Sequence, residues 1–341
     1  MQQSRENNFN IIRLFAALMV IYVHSFAIFK MSIDEPIAKA LHSGVSLGEF
    51  AVYVFFIISG YLITASSVRG KGNWHYFKAR ILRVYPGLIV VMLLTAFVVG
   101  PLLSELGAKV YLQQGEVYLY PFKALPLVTA TSFLPDLFAN NHLENAVNGS
   151  LWTLFWEFLC YIGVAVLGNL NLLNQKVIAI LIVLTTLVSV GLHFLPANNF
   201  AVHSLSLVIP MFLAFFSGML FYFMKSSVVF KVKWVLIALI AYMIFSNTHL
   251  AFTSLYSLPL AYLVFAVSYS TRIRFYQFGS KYDISYGVYI YAFVIQQIIY
   301  QLTNGTLPFV MNIFLSVLFT LPCAFLSYVC IEKPVMRFKS S

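Results

Sequence analysis

Charge is what this sequence has least of. Only 9% of its 341 residues are Asp, Glu, Lys or Arg, against about 25% in soluble globular proteins. Acids are scarcer than bases, 11 against 21. So little charge excludes an ordinary soluble enzyme, and no polar stretch is long enough for a sizeable soluble domain. Cysteine is also rare: Cys160, Cys323 and Cys330 all lie inside apolar runs. There they act as small hydrophobes, so neither a disulfide framework nor a metal site is expected. No small-residue cleavage site follows the first apolar run, which reads as a retained helix and not a signal peptide. Internal repeats of the kind common in transporters are not visible.

What is there is hydrophobic, 61% of the chain, and it recurs in segments long enough to span a bilayer. The fold class expected is all-α, a polytopic membrane bundle of about ten helices at 9–29, 48–68, 81–103, 150–168, 177–195, 204–224, 232–247, 250–268, 284–302 and 308–330. Basic residues in short loops stay cytoplasmic. With ten spans and both termini inside, sixteen Lys and Arg fall on the cytoplasmic side and four on the other, with Arg13 inside the first span. The acids lean outward, among them Asp34, Glu35, Glu49, Glu105, Glu116, Asp136 and Glu144. The formal charge of +10 is therefore a topological signal and not a nucleic-acid footprint.

The first span carries Arg13 and His24. Eleven residues apart on a helix, they lie about 20° apart around the axis and roughly 16 Å apart along it. Each alone has an ordinary reading, an interfacial arginine and a bundle histidine; together on one face they point to an anion held near one side and a titratable base towards the other. Span two contains Ser59 and Gly60, small residues that predict close helix packing beside span one. The most basic loop follows, with Arg69 and Lys71, and leads to Arg80 and Arg83 at the mouth of span three. A spacing of three places both guanidiniums on one face, suited either to lipid headgroups or to the phosphates of a donor. Pro86 is expected to kink this helix.

Residues 104–149 form the longest connection, acidic and outside, with 122–139 expected to dip towards the membrane as a lid. Trp152 and Trp156 then stand at outer-interface depth, with Glu157 about two turns into its span. An intramembrane carboxylate is a candidate for function, or for pairing with an arginine or tyrosine. Asn148-Gly149-Ser150 and Asn304-Gly305-Thr306 match the short glycosylation sequon. Spans five to eight read as scaffold, with His193, His203 and His249 near outer ends. Span nine is rich in tyrosine, including Tyr286 and Tyr289, and either packs its rings or lines a polar passage. Glu332-Lys333-Pro334 is expected to end the last helix.

As an ordered set these motifs resemble the acyltransferase family 3 of membrane proteins. They are Arg13 with ten residues before His24, Phe56-Ile57-Ile58-Ser59-Gly60-Tyr61, Arg80-Ile81-Leu82-Arg83 with Tyr85-Pro86, Asn148-Gly149-Ser150-Leu151-Trp152-Thr153-Leu154 with Glu157, Ser285-Tyr286-Gly287-Val288-Tyr289, and Glu332-Lys333-Pro334. The resemblance implies one transmembrane acyltransferase domain over 1–341, without an appended soluble domain. It implies transfer of an acetyl group from cytoplasmic acetyl-CoA to a hydroxyl of an extracytoplasmic cell-surface glycan, in the inner or plasma membrane. His24 would be catalytic with Arg13 as partner and Glu157 orienting it, either as general base or as the group first acylated. Arg80 and Arg83, with Arg69 and Lys71, would contact the coenzyme phosphates; Trp152, Tyr286 and Tyr289 would meet the acceptor. Many relatives carry a histidine and a proline in the ninth-span motif where this chain has Ala292 and Val294, so acceptor handling there falls to Glu157 or a tyrosine. The partners expected are acyl-CoA, the glycan and membrane lipid, with no nucleic acid and no metal; a homo-oligomer is compatible with the sequence but not specified by it. Two other classes fit the composition. A secondary transporter of a small anionic or acylated substrate would move it intact, and a non-catalytic envelope scaffold would tolerate loss of the Arg and His residues.

Overall fold

A computed structural model describes residues 7–29, 35–70, 72–127, 133–196, 198–279 and 281–339. Helices occupy all ten expected positions: α1 (Phe9–Ile28), α2 (Leu47–Val68), α3 (Asn73–Leu94), α4 (Trp152–Asn169), α5 (Gln175–His193), α6 (Phe200–Met224), α7 (Val232–Ser246), α8 (Ser257–Ser268), α9 (Ser285–Thr303) and α10 (Phe309–Ser327). Among the described residues there are no strands, only two isolated bridges, Ser43 with Asn247 and Ser104 with Leu137. Among the described residues, seven helices are long and apolar enough to cross a membrane by length and composition. The seventh and eighth, at 15 and 12 residues, fall short of the roughly 20 residues a hydrocarbon core needs.

Several boundaries differ from the sequence reading, each for a local reason. The third helix begins at Asn73 and not near 81, because Trp74 to Lys78 continue it ahead of the apolar run. Arg80 and Arg83 are thereby about two and three turns inside the helix. The helix runs through Pro86, and its irregularity is a π-helical turn at Thr95–Val99 before Gly100–Leu103. Helix α8 starts at Ser257 and not 250, since 247–256 forms turns, with Ser254 in the left-handed region at φ 57°. Lys333-Pro334 does not stop the last helix. A π-helical turn at Tyr328–Glu332 carries the helix on into Lys333–Met336, through Pro334.

The chain forms two compact units. The first comprises Met1–Ala16, Asp34–Gly72 and Trp156–Phe278. Its core is the α2–α6 pair, where two glycines interlock: a Cβ on Gly60 would lie 2.1 Å from the Phe215 carbonyl oxygen, and one on Gly218 2.0 Å from that of Ile57. The small-residue prediction is right about close packing but not about the partner. The first helix instead meets this stretch through Phe9, whose ring packs on Tyr61, Phe265 and Tyr269. Asn8 pins the start of α1 by donating to the carbonyls of Val267 and Ile273 and accepting from the Phe275 N–H. The start of α2 is closed by a capping box between Ser46 and Glu49.

The second unit comprises Ala17–Ile33, Asn73–Phe155 and Gly279–Ser341. Helix α9 is its spine, with thirteen buried residues that include Gln296 and Gln297. Buried amides need partners where water is absent, and the Nε2 groups of both find them. Gln297 donates to the carbonyls of Leu143 and Ala146, and Asn141 donates back to the Gln297 side chain and backbone. The stretch after the expected lid thereby docks on α9, while Ser104 donates to the Pro135 carbonyl of the lid, within which Leu137 and Phe138 are fully buried; 128–132 lies outside the described residues. Gly287 faces Ala324 of α10 so closely that a Cβ would be 2.9 Å from the Ala324 Cα.

Candidate functional site

His24 sits in the C-terminal part of α1, a helix unbroken from Phe9 to Ile28, so its spacing from the half-buried Arg13 is the one expected. Of the seven histidines it alone lies inside a span and not in a loop or a terminal turn. Phe293 of α9 meets its ring edge-on, centroids 5.1 Å apart and planes at 82°. Gln296, one turn further along α9, donates to the Ile21 carbonyl at 2.9 Å and to Ser25 Oγ at 2.8 Å. Helix α9 thus holds the turn of α1 that carries the imidazole. His24 Nδ1 is buried and has no hydrogen-bond partner among the described residues. An imidazole fixed by packing, with a nitrogen not committed to the fold, is suited to general-base work.

At the start of α9, where Ser285 lies eight residues or about 12 Å along the helix from Phe293, is a cluster of opposite character. Arg83 Nη2 donates to Asp283 Oδ2 at 2.7 Å, and its Nη1 lies 4.0 Å from Glu332 Oε2. Glu332 is fully buried and accepts from Ser327 Oγ at 3.3 Å. Asp283 Oδ1 accepts from the Ser285 hydroxyl at 2.7 Å, just where α9 begins. One guanidinium thereby neutralises two carboxylates and ties α3 to the start of α9. Arg80 is buried, with Nη1 donating to the Tyr76 carbonyl at 2.9 Å and its guanidinium 4.3 Å over the Tyr76 ring. The two arginines share a helix, but neither is the freely exposed pair the spacing alone describes.

The tyrosines of α9 are structural in the first instance. Tyr286 donates to the Val84 carbonyl at 2.7 Å; Tyr289 donates to that of Ser150 at 2.8 Å and pairs with Thr153 Oγ1 at 2.7 Å. The Asn148 amide is buried and donates to the Ile290 carbonyl at 2.8 Å, so this asparagine is used by the fold and not available for glycosylation. Gly149 lets Phe293 approach, where a Cβ would come within 2.7 Å of the ring. Trp152 opens α4, half-buried.

The remaining predicted residues belong to the first unit. Glu157 Oε1 accepts from Ser59 Oγ at 2.7 Å and Tyr161 Oη at 2.5 Å. This joins α4 to α2 and brings the Ser59 and Glu157 motifs together, with the tyrosine pairing that composition allows. Arg69 caps the end of α2 and is exposed; Lys71 lies outside the described residues. Sequence reasoning missed Asp283 and the role of Glu332. An acidic residue two before the first serine of a polar span was the one available signal for Asp283.

These positions can be set beside known proteins. The profile of the acyltransferase domain family matches residues 6–329. The chain is 30% identical to a protein named O-acetyl transferase from Shigella phage Sf6, over 96% of each. It is 26% identical to Nodulation protein 10 of Rhizobium leguminosarum bv. viciae, over 98% of this chain and 94% of that protein. No solved structure matches. With a family match across both units and all ten helices, this chain belongs to the acyltransferase domain family and is an integral membrane acyltransferase.

Proposed function

We propose that this acyltransferase moves an acetyl group from cytoplasmic acetyl-CoA to a hydroxyl of an extracytoplasmic cell-surface glycan, in the inner or plasma membrane with both termini inside. Acetyl transfer to oxygen is the reaction named for the phage relative that aligns over nearly the full chain. The observation that carries the reading is His24, the single histidine inside a span, held by α9 with Nδ1 left uncommitted. The sixteen-to-four charge asymmetry supports the orientation.

In the reaction His24 takes the proton of the acceptor hydroxyl as its oxygen attacks the thioester carbonyl. The tetrahedral intermediate collapses with cleavage of the C–S bond, and the departing thiolate receives the proton from His24. Arg13 contributes positive potential along the same helix. The coenzyme is a polyanion, and within the second unit its phosphates are assigned to Arg80, whose guanidinium suits phosphate oxygens. Arg83 is reassigned to positioning, because two carboxylates already face it. Arg69, exposed at the end of α2, adds to the positive potential of the cytoplasmic face. Glu157 is a positioning residue that fixes α4 to α2. Trp152 and the acceptor oxygens of Tyr286 and Tyr289 are assigned to the acceptor.

The test is release of coenzyme A thiol by purified protein given acetyl-CoA and the envelope polysaccharide of the cell that encodes it. Release that requires the polysaccharide, with acetyl on the recovered glycan by mass spectrometry, is expected. Uptake of intact substrate with no thioester cleavage would favour the transporter instead.

A further inference from the structure

Helices five to eight read from sequence as scaffold, yet the first unit opens a cavity of about 310 Å³ among their ends. Glu49 and Tyr53 of α2, His193 of α5, His203 of α6, and Ser254 and Tyr256 ahead of α8 face it from four directions. It lies at the end of α2 opposite Arg69, twenty residues or about 30 Å away. On the proposed topology this end is extracytoplasmic.

The wall has the chemistry of a site for hydroxyl groups. Among the described residues no lysine or arginine lines it, so an anionic ligand would meet only the imidazoles there and would face Glu49. The exposed His193, His203 and Ser206 offer donors and acceptors, which matches groups that need both, as sugar hydroxyls do. One part of the wall is flat: the His193 ring lies on Phe252, centroids 4.1 Å apart and planes at 19°. The floor is rigid, with Tyr53 and Tyr256 each 2% exposed and Ser189 Oγ donating to the Phe252 carbonyl at 2.8 Å. Ser254 is held at φ 57°, the kind of backbone strain that concentrates at binding sites. The volume is at the lower end of the roughly 300–1,000 Å³ typical of small-ligand pockets, room for a sugar unit.

We propose that this cavity is a saccharide subsite that holds an uncharged sugar unit of the acceptor glycan, an inference that rests on the glycan-acceptor reading above. The two histidines are exposed, so their loss leaves the fold intact. In the thiol-release assay, the doubly substituted His193→Ala/His203→Ala protein should raise KM for the host envelope polysaccharide about tenfold, as for one or two lost hydrogen bonds, while KM for acetyl-CoA keeps its wild-type value. An unchanged polysaccharide KM, or a fall in kcat alone, overturns the subsite while leaving the acyl-transfer reading in place. A larger rise in KM with Glu49→Gln than with the histidine pair overturns the uncharged sugar in favour of a cationic ligand. If the wild-type protein releases no thiol even with the polysaccharide present, the acyl-transfer reading itself fails, and this subsite with it.

Discussion

Arg83 is the residue at which sequence and structure assign different work, and a double-substitution cycle separates them. Its guanidinium faces Asp283 at 2.7 Å and Glu332 at 4.0 Å, with side-chain exposures of 28%, 15% and 0% respectively. Removing one partner of a buried ion pair typically costs about 3–5 kcal/mol, because the other charge is left uncompensated. Arg83→Met removes the only cation that faces the buried Glu332 in the ion pairs above, and Asp283 is close enough to the surface to recover solvent. The lower end, about 3 kcal/mol, is therefore expected. Glu332→Gln keeps the oxygen that accepts from Ser327 and leaves the 2.7 Å pair intact, so its cost should be about 1 kcal/mol or less. Combining the two removes both the cation and the buried anion that needed it, which should recover about 2 kcal/mol of the single-variant loss. Thermal unfolding in detergent, followed by loss of the monodisperse peak, orders the four proteins: wild type close to Glu332→Gln, the double variant next, Arg83→Met lowest. An Arg83→Met protein as stable as wild type, but with weakened binding of acetyl-CoA, would refute the positioning role and restore Arg83 as a phosphate contact.

Gly218→Ala places a methyl carbon 2.0 Å from the Ile57 carbonyl oxygen; backbone on both sides allows little relief, so a loss of about 1–3 kcal/mol should appear as a lower melting midpoint. Gly163→Ala, where nothing lies within 4 Å, should leave the midpoint unchanged or slightly raised. Glu157→Ala should lower activity and yield together by freeing α4 from α2, whereas Glu157→Gln, whose Oε1 still accepts from Ser59 and Tyr161, should retain most of both; loss of kcat in the glutamine variant at normal yield would show that the charge itself is needed. Asn148→Ala removes the bond to the Ile290 carbonyl, which keeps its helical partner, so a cost of about 1 kcal/mol is expected in the same unfolding assay.

Ten helix positions were legible because apolar runs in a membrane chain must be helical to satisfy their own backbone. Even α9, too polar to count as a span by hydropathy, stood out through its tyrosine pattern. What stayed hidden depends on residues far apart in sequence. Arg83 and Asp283 are 200 positions apart, and no local pattern says that a basic residue in one helix will be neutralised at the start of another. The same holds for Ser59 with Glu157, 98 apart, and for Gly60, whose close packing was readable but whose partner was not. Helix ends failed where π-helical turns carried a helix past a proline, as at Pro334. The histidines at the ends of α5 and α6 looked solvated one by one; only their convergence with the start of α2 makes a cavity.

The most direct measurement is thiol release by His24→Ala protein in detergent, at matched concentration and with a wild-type melting midpoint. With acetyl-CoA and envelope polysaccharide present, loss of polysaccharide-dependent release to the uncatalysed background is expected, with acetyl-CoA binding retained. Release at the wild-type rate by a folded His24→Ala protein would contradict the assignment of this imidazole as the base for acyl transfer.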